Sequence, residues 1–472
     1  MTLPALDLRL LWPELIVAAG AITLMLWGTR GSHGRAVRWA GVLVLAAALW
    51  EVLMLGAAGE GVGAMYVRDG LTVVLQGTAL LAALLASALG GSYVERAALE
   101  AGELHALLLV TALGAMVMAA SRDLIMLFLG LETLSIPLYV LAAFARGDRR
   151  AQEAGMKYFL LGAFSTAFFL YGIALIFGAA GSTALSTVAT APPSLLLRIG
   201  MGLLLVGLGF KAAVVPFHAW APDVYEGAPL PVTAYMAVIA KVGAFAALLR
   251  VMPAVLRSGG DEWIAVLGAL SVLTMVLGNF AALLQPGVKR LLAYSSIAHA
   301  GFMLIGVAVG TAQGAEAVAF YLVAYTLMTL GAFGVILMLE RRGEEADQIA
   351  DLTGLAWRSP ALAVAMAVFM VSLAGLPPTA GFIAKFYVFA AALDAGQTAL
   401  AVIGVLTSVV SAYFYLRVAY TMFTGEPRPE ITFVGGRWVT AALILSTAGV
   451  LALGVFPAPL TTFVRQVAQV LR

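Results

Sequence analysis

About fourteen runs of roughly 20 mostly apolar residues fill this 472-residue chain, and that is the length a helix needs to cross the hydrocarbon of a bilayer. No water reaches that layer, so every backbone N–H and C=O must be paired within the segment. The runs fall at 11–28, 36–57, 71–90, 104–120, 123–143, 155–179, 195–217, 231–252, 263–284, 291–309, 315–339, 360–390, 399–423 and 438–456. Only 11% of the residues are charged, well under the roughly 25% of soluble domains. The fold class is therefore an all-α polytopic membrane protein with about 14 transmembrane helices.

The connections set the direction of the spans. Odd-numbered loops hold about fifteen Lys and Arg, among them Arg35, Arg38, Arg149, Lys157, Arg290 and Arg341. Even-numbered loops and the two ends hold about seven, among them Arg68, Arg122, Arg257 and Arg472. The positive-inside rule puts odd loops in the cytoplasm and both termini in the periplasm. Met1–Arg9 is short and no small-residue cleavage site follows, so no cleaved leader is expected and a bacterial inner membrane is the expected location. The chain has no cysteine, which removes thiolate-bound iron–sulfur clusters, thiolate zinc and disulfides.

Spans 7 and 12 are irregular. Span 7 carries Pro216 and runs into PFHAWAPDVYEGAPLP, and span 12 is too long for one straight crossing and contains GLPP at 375–378. Proline removes a helix hydrogen bond and clashes with the preceding turn. Broken helices in corresponding positions of two halves mark the ion path of many transporters. Spans 4–8 and 9–13 correspond in this way: each block has five spans, so the second enters the membrane inverted. Ionisable residues lie at Glu132, Lys211 and Lys241 in the first block and at His299, Lys385 and Arg417 in the second, separated by 79 and 30 residues and by 86 and 32. The domains expected are 1–100 (spans 1–3), 101–255 (first repeat), 256–425 (second, inverted repeat) and 426–472 (span 14 and tail).

The charges inside these spans are the candidate functional residues, since a charge near the bilayer centre costs roughly 2.5–3.5 kcal/mol on insertion scales. Glu132 interrupts LIMLFLGLETLSIPLYVL, Lys211 GLLLVGLGFKAAVVPF, Lys241 AYMAVIAKVGAFAALL and Lys385 AGFIAKFYVFAAAL. Desolvation disfavours the charged form of a lysine, so Lys241, mid-helix, can exchange a proton near neutrality, which an arginine cannot. The alternative is a lysine that snorkels to the interface. Glu132 and Lys211 are expected to form a buried pair whose hold a charge on Lys241 would alter. Lys385, after the break in span 12, is placed to take or release the proton on one side. His299, near its helix centre, suits a relay; a lone core histidine is as often merely hydrogen-bonded. His218 beside the first break, Lys289 and Arg417 are accessory candidates, Lys289 reading chiefly as a topology charge and Arg417 as a group that tunes the field. Glu14 is expected at the interface and Arg250 is expected to snorkel.

The carriers favour protons over sodium, because an ammonium cannot coordinate Na⁺ and Glu132 is the only clearly central carboxylate. Four histidines in all, His33 and His105 near helix ends, make poor haem ligands, and no dinucleotide or Walker phosphate loop occurs. The charged stretch 340–359 reads as a solvated or partner-contacting cytoplasmic segment. No nucleic-acid partner is expected.

LFLGLETLSIPLY (127–139), GFKAAVVPFHAWAPDVYEGAP (209–229), VKRLLAYSSIAHAGF (288–302) and SLAGLPPTAGFIAKFYVF (372–389) resemble, in order, the motifs of the antiporter-like subunits of proton-pumping NADH:quinone oxidoreductase, respiratory complex I. M-like chains of that family put a Glu where Lys385 stands, and L-like chains extend into a long lateral helix after span 14, whereas this sequence ends at Arg472; the wording is nearest to the N-like type. The resemblance implies fourteen helices with two inverted five-helix repeats. It also implies Glu132 and Lys211 as a pair, Lys241 as the central proton carrier and Lys385 as the far-side lysine. It implies proton movement driven by quinone reduction elsewhere, with no cofactor on this chain: flavin, iron–sulfur clusters and quinone would sit on partner subunits. The partners implied are the other membrane subunits of complex I, including the neighbouring M-like subunit and the small K-like and J-like subunits. Multisubunit cation/proton antiporters and membrane-bound hydrogenases share the ancestral pattern and are the near alternatives.

Overall fold

A computed structural model of the chain describes residues 8–29, 34–57, 59–60, 65–96 and 100–468. Arg30, His33 and the two chain ends, Met1 and Arg472, on which part of the topology count rests, lie outside the described residues.

The helices are α1 (Trp12–Gly28), α2 (Gly34–Leu55), α3 (Gly70–Arg96), α4 (Ala101–Ala120), α5 (Leu124–Ala142), α6 (Arg149–Ala180), α7 (Leu185–Val188), α8 (Leu195–Ala212), α9 (Trp220–Gly227) and α10 (Leu230–Gly259). They continue with α11 (Asp261–Leu283), α12 (Val288–Ala308), α13 (Ala312–Leu337), α14 (Leu355–Arg358), α15 (Pro360–Ala374), α16 (Ala380–Asp394), α17 (Thr398–Phe423), α18 (Arg437–Val455) and α19 (Ala458–Ala468). Among the described residues, 13 helices are long and apolar enough to cross a membrane. The pair α15–α16, divided where the sequence has GLPP, stands where the twelfth of the fourteen expected spans was read.

Burial sorts the bundle into a centre and a rim. The most apolar stretch of α10 is wholly buried, and those of α12 and α13 nearly so, whereas α1, α2, α6, α11, α17 and α18 show most of theirs to the outside. α10 packs against α3, α4, α5, α8 and α13. Rim helices carry large exposed apolar side chains such as Ile22, Trp50, Phe164, Leu406 and Ile444, the surface a bilayer or an apolar neighbour covers. α6 begins before its apolar run because Asp148 caps it, its carboxylate accepting from the Arg150 N–H at 2.9 Å.

Both breaks have local causes. α8 stops at Ala212 because Ala213 turns left-handed, with φ at 59°, and Val214 N–H donates back to the Gly209 carbonyl at 2.8 Å. Pro216 then bars resumption, and the chain restarts as α9. α15 stops at Ala374 because Gly375 is left-handed, φ 83°, a conformation glycine adopts without steric cost. Pro377 and Pro378 follow, and α16 begins at Ala380.

Short strands, which hydropathy alone did not register, lie in the connections between helices. β1 (Gly59–Glu60) pairs with β2 (Val67–Arg68). β3 (Leu339–Arg341), β4 (Glu344–Glu345) and β5 (Ile431–Phe433) form a sheet in the order β4-β3-β5. The charged stretch 340–359 is thus built rather than merely solvated, and its Asp351 is buried.

Candidate functional site

Lys211, Lys241, His299 and Lys385 are 2%, 1%, 1% and 3% exposed, so none of them snorkels. A buried cation needs acceptors, and the broken helices supply them. Lys241 on α10 donates from Nζ to the carbonyl of Ala212, the last residue of α8, at 3.2 Å. Lys385 on α16 donates to the carbonyl of Ala374, the last residue of α15, at 2.8 Å, and to Ser408 Oγ at 2.8 Å. Helix C-terminal ends carry negative partial charge, so each ammonium rests where the protein interior is most hospitable to it.

Lys211 sits in the last turn of α8 and donates to Tyr158 Oη at 3.2 Å. Its ammonium lies 5.4 Å from the Tyr139 ring centre and 5.1 Å from that of Tyr158, within range for cation–π attraction. Glu132, half-buried on α5, accepts instead from Thr166 Oγ1 on α6 at 2.8 Å. Among the described residues, Glu132 and Lys211 make no direct ion pair. Glu132 lies toward the rim, between turns whose Leu129 and Ile136 are exposed.

His299 on α12 is held at both ring nitrogens, Nδ1 to Tyr321 Oη at 2.6 Å and Nε2 to Tyr415 Oη at 3.1 Å. Tyr415 Oη is also hydrogen-bonded to Ser295 Oγ. One turn away Ser296 accepts from Tyr325 at 2.9 Å and lies 3.3 Å from Tyr225 Oη. The Phe302 ring lies between His299 and Lys385, 6.0 Å from the imidazole centre and 4.6 Å from the Lys385 ammonium. At the other end Trp220 stacks on Tyr158 at 4.4 Å and approaches Tyr225 at 6.1 Å. A buried belt of hydroxyls and rings therefore runs from Lys211 through Tyr158, Trp220, Tyr225, Ser296, Tyr325 and His299 to Lys385, with Lys241 beside it on the broken end of α8.

The tyrosines and serines of this belt were missed in the sequence. Two signals were present: adjacent Ser295 and Ser296 within one turn of His299, and Tyr321 and Tyr325 at helical spacing in α13.

Other charges take places the sequence did not predict. Lys289 is more than a topology charge: it is buried, pairs with Glu345 at 2.8 Å and donates to the Ala228 carbonyl at 3.0 Å. Arg250 does not snorkel: its guanidinium grips Asp69 at 2.5 and 2.6 Å and donates to the Ala119 carbonyl, because α10 lies at the centre of the bundle. Glu14 is buried, accepting from Tyr66 at 2.9 Å and from Gln76. Arg417 donates to the carbonyls of Leu283 and Gln285 at the end of α11, at 3.3 and 2.6 Å. His218 is half-buried in the first break, and His105 is tied to the Ala101 carbonyl at 2.8 Å. Among the described residues no three His, Asp or Glu side chains are grouped as a metal ion would need.

Residues 121–411, which include every candidate from Glu132 to Lys385, match the family model described as NADH:quinone oxidoreductase/Mrp antiporter, TM. The NADH-quinone oxidoreductase subunit N of Chloroflexus aggregans is 43% identical over 99% of this chain and 98% of its own. The chain belongs to the subunit N family of NADH-quinone oxidoreductase. A chain of respiratory complex I from Thermus thermophilus with bound aureothin superimposes with a TM-score of 0.85 at 41% identity, over 95% of this chain and 98% of that one. A chain of the Mrp complex from Dietzia sp. DQ12-45-1b superimposes with a TM-score of 0.86 over 98% and 97%, but at 23% identity, which shows a shared fold. As a subunit N family member the chain is an antiporter-like membrane subunit of a multisubunit respiratory complex, and its multi-pass character follows from the helices already described.

Proposed function

We propose that this chain moves protons across the membrane along the buried belt, with Glu132, Lys211, Lys241, His299 and Lys385 as the titrating groups. Quinone reduction on partner subunits supplies the drive, and flavin, clusters and quinone stay on those subunits. The observation that carries the reading is the placement of three lysines and a histidine in the bundle interior, along a belt of hydroxyl groups and aromatic rings. Lys241 is the central carrier. Protonated, it binds the negative end of α8 by charge as well as by hydrogen bond; neutral, it keeps only the weaker bond. Its proton therefore alters how firmly α8 is held at the break and, through α8, the position of Lys211 against Tyr158. Glu132 at the rim is placed to feel a charge on a neighbouring subunit, the M-like one by family resemblance, with the small K-like and J-like subunits beyond. Lys385 takes the proton on the far side.

The proposal includes a division into two inverted repeats, 101–255 and 256–425, flanked by 1–100 and 426–472. Each contains a helix that ends in a left-handed residue ahead of proline, with a lysine on its last carbonyl. The match is one of role rather than of sequence position: Lys211 precedes its break and Lys385 follows its own, so Lys385 corresponds in contact to Lys241. A bacterial inner membrane with both termini periplasmic completes the proposal.

Lys241→Ala tests it. The variant complex is expected to assemble and to lose proton translocation coupled to quinone reduction. Normal coupled turnover by an assembled Lys241→Ala complex would refute the reading.

A further inference from the structure

Glu345, on the β3–β4 hairpin, lies far in sequence from every residue of the belt, yet it joins three helix ends. Its Oε1 accepts from the N–H of Leu230, the first residue of α10, at 3.1 Å. Its Oε2 accepts from Lys289 Nζ, in the first turn of α12, at 2.8 Å. The same ammonium donates to the carbonyl of Ala228, which closes α9, at 3.0 Å. The polarity is matched at each contact: a carboxylate at a helix N-terminus, an ammonium at a helix C-terminus.

The hairpin is itself fixed to α12. Val288 N–H donates to the Asp347 carbonyl at 2.6 Å, Ile349 N–H donates to the Pro286 carbonyl at 2.9 Å, and Gly287 bridges to Gln348. The segment 345–349 therefore moves with the start of α12, and through Glu345 it also holds the joint between α9 and α10.

Lys241 lies eleven residues into α10, counted from Leu230, and His299 eleven residues into α12, counted from Val288. At about 1.5 Å per residue each is about 16 Å from its helix start. Tying those starts together sets Lys241 and His299 at one depth and keeps Lys241 in register with the Ala212 carbonyl. The Lys241–Ala212 bond is 3.2 Å long, so a shift of even an ångström along α10 would break it.

We propose that Glu345 is a positioning residue for proton translocation, setting the register of the Lys241 helix against the His299 helix and the second half of the first broken helix. The inference rests on the proton-path reading above.

The experiment uses the assembled complex in proteoliposomes, with Glu345→Ala, Glu345→Gln and the exchanged pair Lys289→Glu/Glu345→Lys. The rate of quinone-coupled proton translocation is expected to fall at least threefold in each. The apparent KM for quinone is expected to stay unchanged, because the clamp touches only helix ends. Amide hydrogen exchange is expected to rise at 230–233. The exchanged pair keeps opposite charges but sets a carboxylate against the Ala228 carbonyl and an ammonium against the Leu230 N–H, so it is expected not to restore the rate. An ordinary packing ion pair would be restored by exchange. Wild-type translocation in Glu345→Ala, or in Glu345→Gln where the alanine variant fails to assemble, overturns the proposal, and so does rescue by the exchanged pair. Lys241→Ala measured in parallel keeps two failures apart: if it too pumps normally, the proton path itself is wrong, and if it alone is dead, only the clamp is.

Discussion

The Lys241 ammonium donates to the carbonyl of Ala212 at 3.2 Å, so a lysine of the central helix rests on the last residue of a helix that stops inside the bundle. Lys385 stands in the same relation to Ala374, at 2.8 Å. A helix that stops inside the bundle exposes carbonyls its next turn would have used, and a buried lysine lacks the water that would solvate it. Each remedies the other's deficit. The breaks and the buried cations are therefore one feature of the fold.

Gly375→Ala probes this at the second break. Position 375 needs a left-handed φ, which costs a non-glycine residue roughly 1–2 kcal/mol. A Cβ there would also meet Lys385 Cδ at 2.7 Å and Nζ at 3.2 Å. Coupled proton translocation by the assembled complex is expected to fall about tenfold, equivalent to about 1.4 kcal/mol on the barrier. Gly396→Ala is the control: φ is 74° but the surrounding space is open, so a similar loss of stability is expected with the translocation rate preserved.

Tyr158→Phe keeps the ring that stacks on Trp220 and removes the hydroxyl that accepts from Lys211. A buried group left without its partner costs roughly 1–3 kcal/mol. A lower melting temperature and a slower coupled rate are expected, read by thermal denaturation of the purified complex and by vesicle acidification.

The spans were legible in the sequence because hydropathy alone specifies them, and both breaks were legible because Pro216 and GLPP cannot continue a helix. Lys211, Lys241, Lys385 and His299 stood out as intrusions into apolar runs. The partner of each charge was not legible. Arg250 finds Asp69, which lies between β2 and α3 far back in the sequence, and Lys289 finds Glu345 across a hairpin; such pairings follow from packing, which periodicity does not encode. The expected Glu132–Lys211 pair resolves into two separate hydrogen bonds because Glu132 faces α6 near the rim while Lys211 faces Tyr158. The tyrosines of the belt escaped notice because an aromatic residue in an apolar helix is no anomaly until its hydroxyl is seen to have a partner.

Asp69→Asn tests the buried pair with Arg250. Removing one partner of such a pair leaves an uncompensated charge, at roughly 3–5 kcal/mol. The pair also predicts acid sensitivity. Burial pushes the Asp69 carboxyl up, but the hydrogen bonds and charge of Arg250, with Thr72, outweigh this and hold it below its ordinary value of 3.8. A carboxylate depressed in the folded state stabilises that state above its unfolded value and loses this contribution as pH falls through the folded one. Melting temperature is therefore expected to drop as pH is taken below about 4, and the Asp69→Asn complex, weaker at pH 7, is expected to show a flatter acid dependence.

Lys241→Arg bears most directly on whether a proton travels through the belt. Arginine keeps a cation and donors for the Ala212 carbonyl but cannot release a proton. Proton translocation driven by NADH oxidation, measured in proteoliposomes with assembly verified, is expected to be lost in Lys241→Arg as it is in Lys241→Ala. Wild-type translocation in Lys241→Arg would show that position 241 serves only as a fixed positive cap on α8, and the account of Lys241 as a proton carrier would be contradicted.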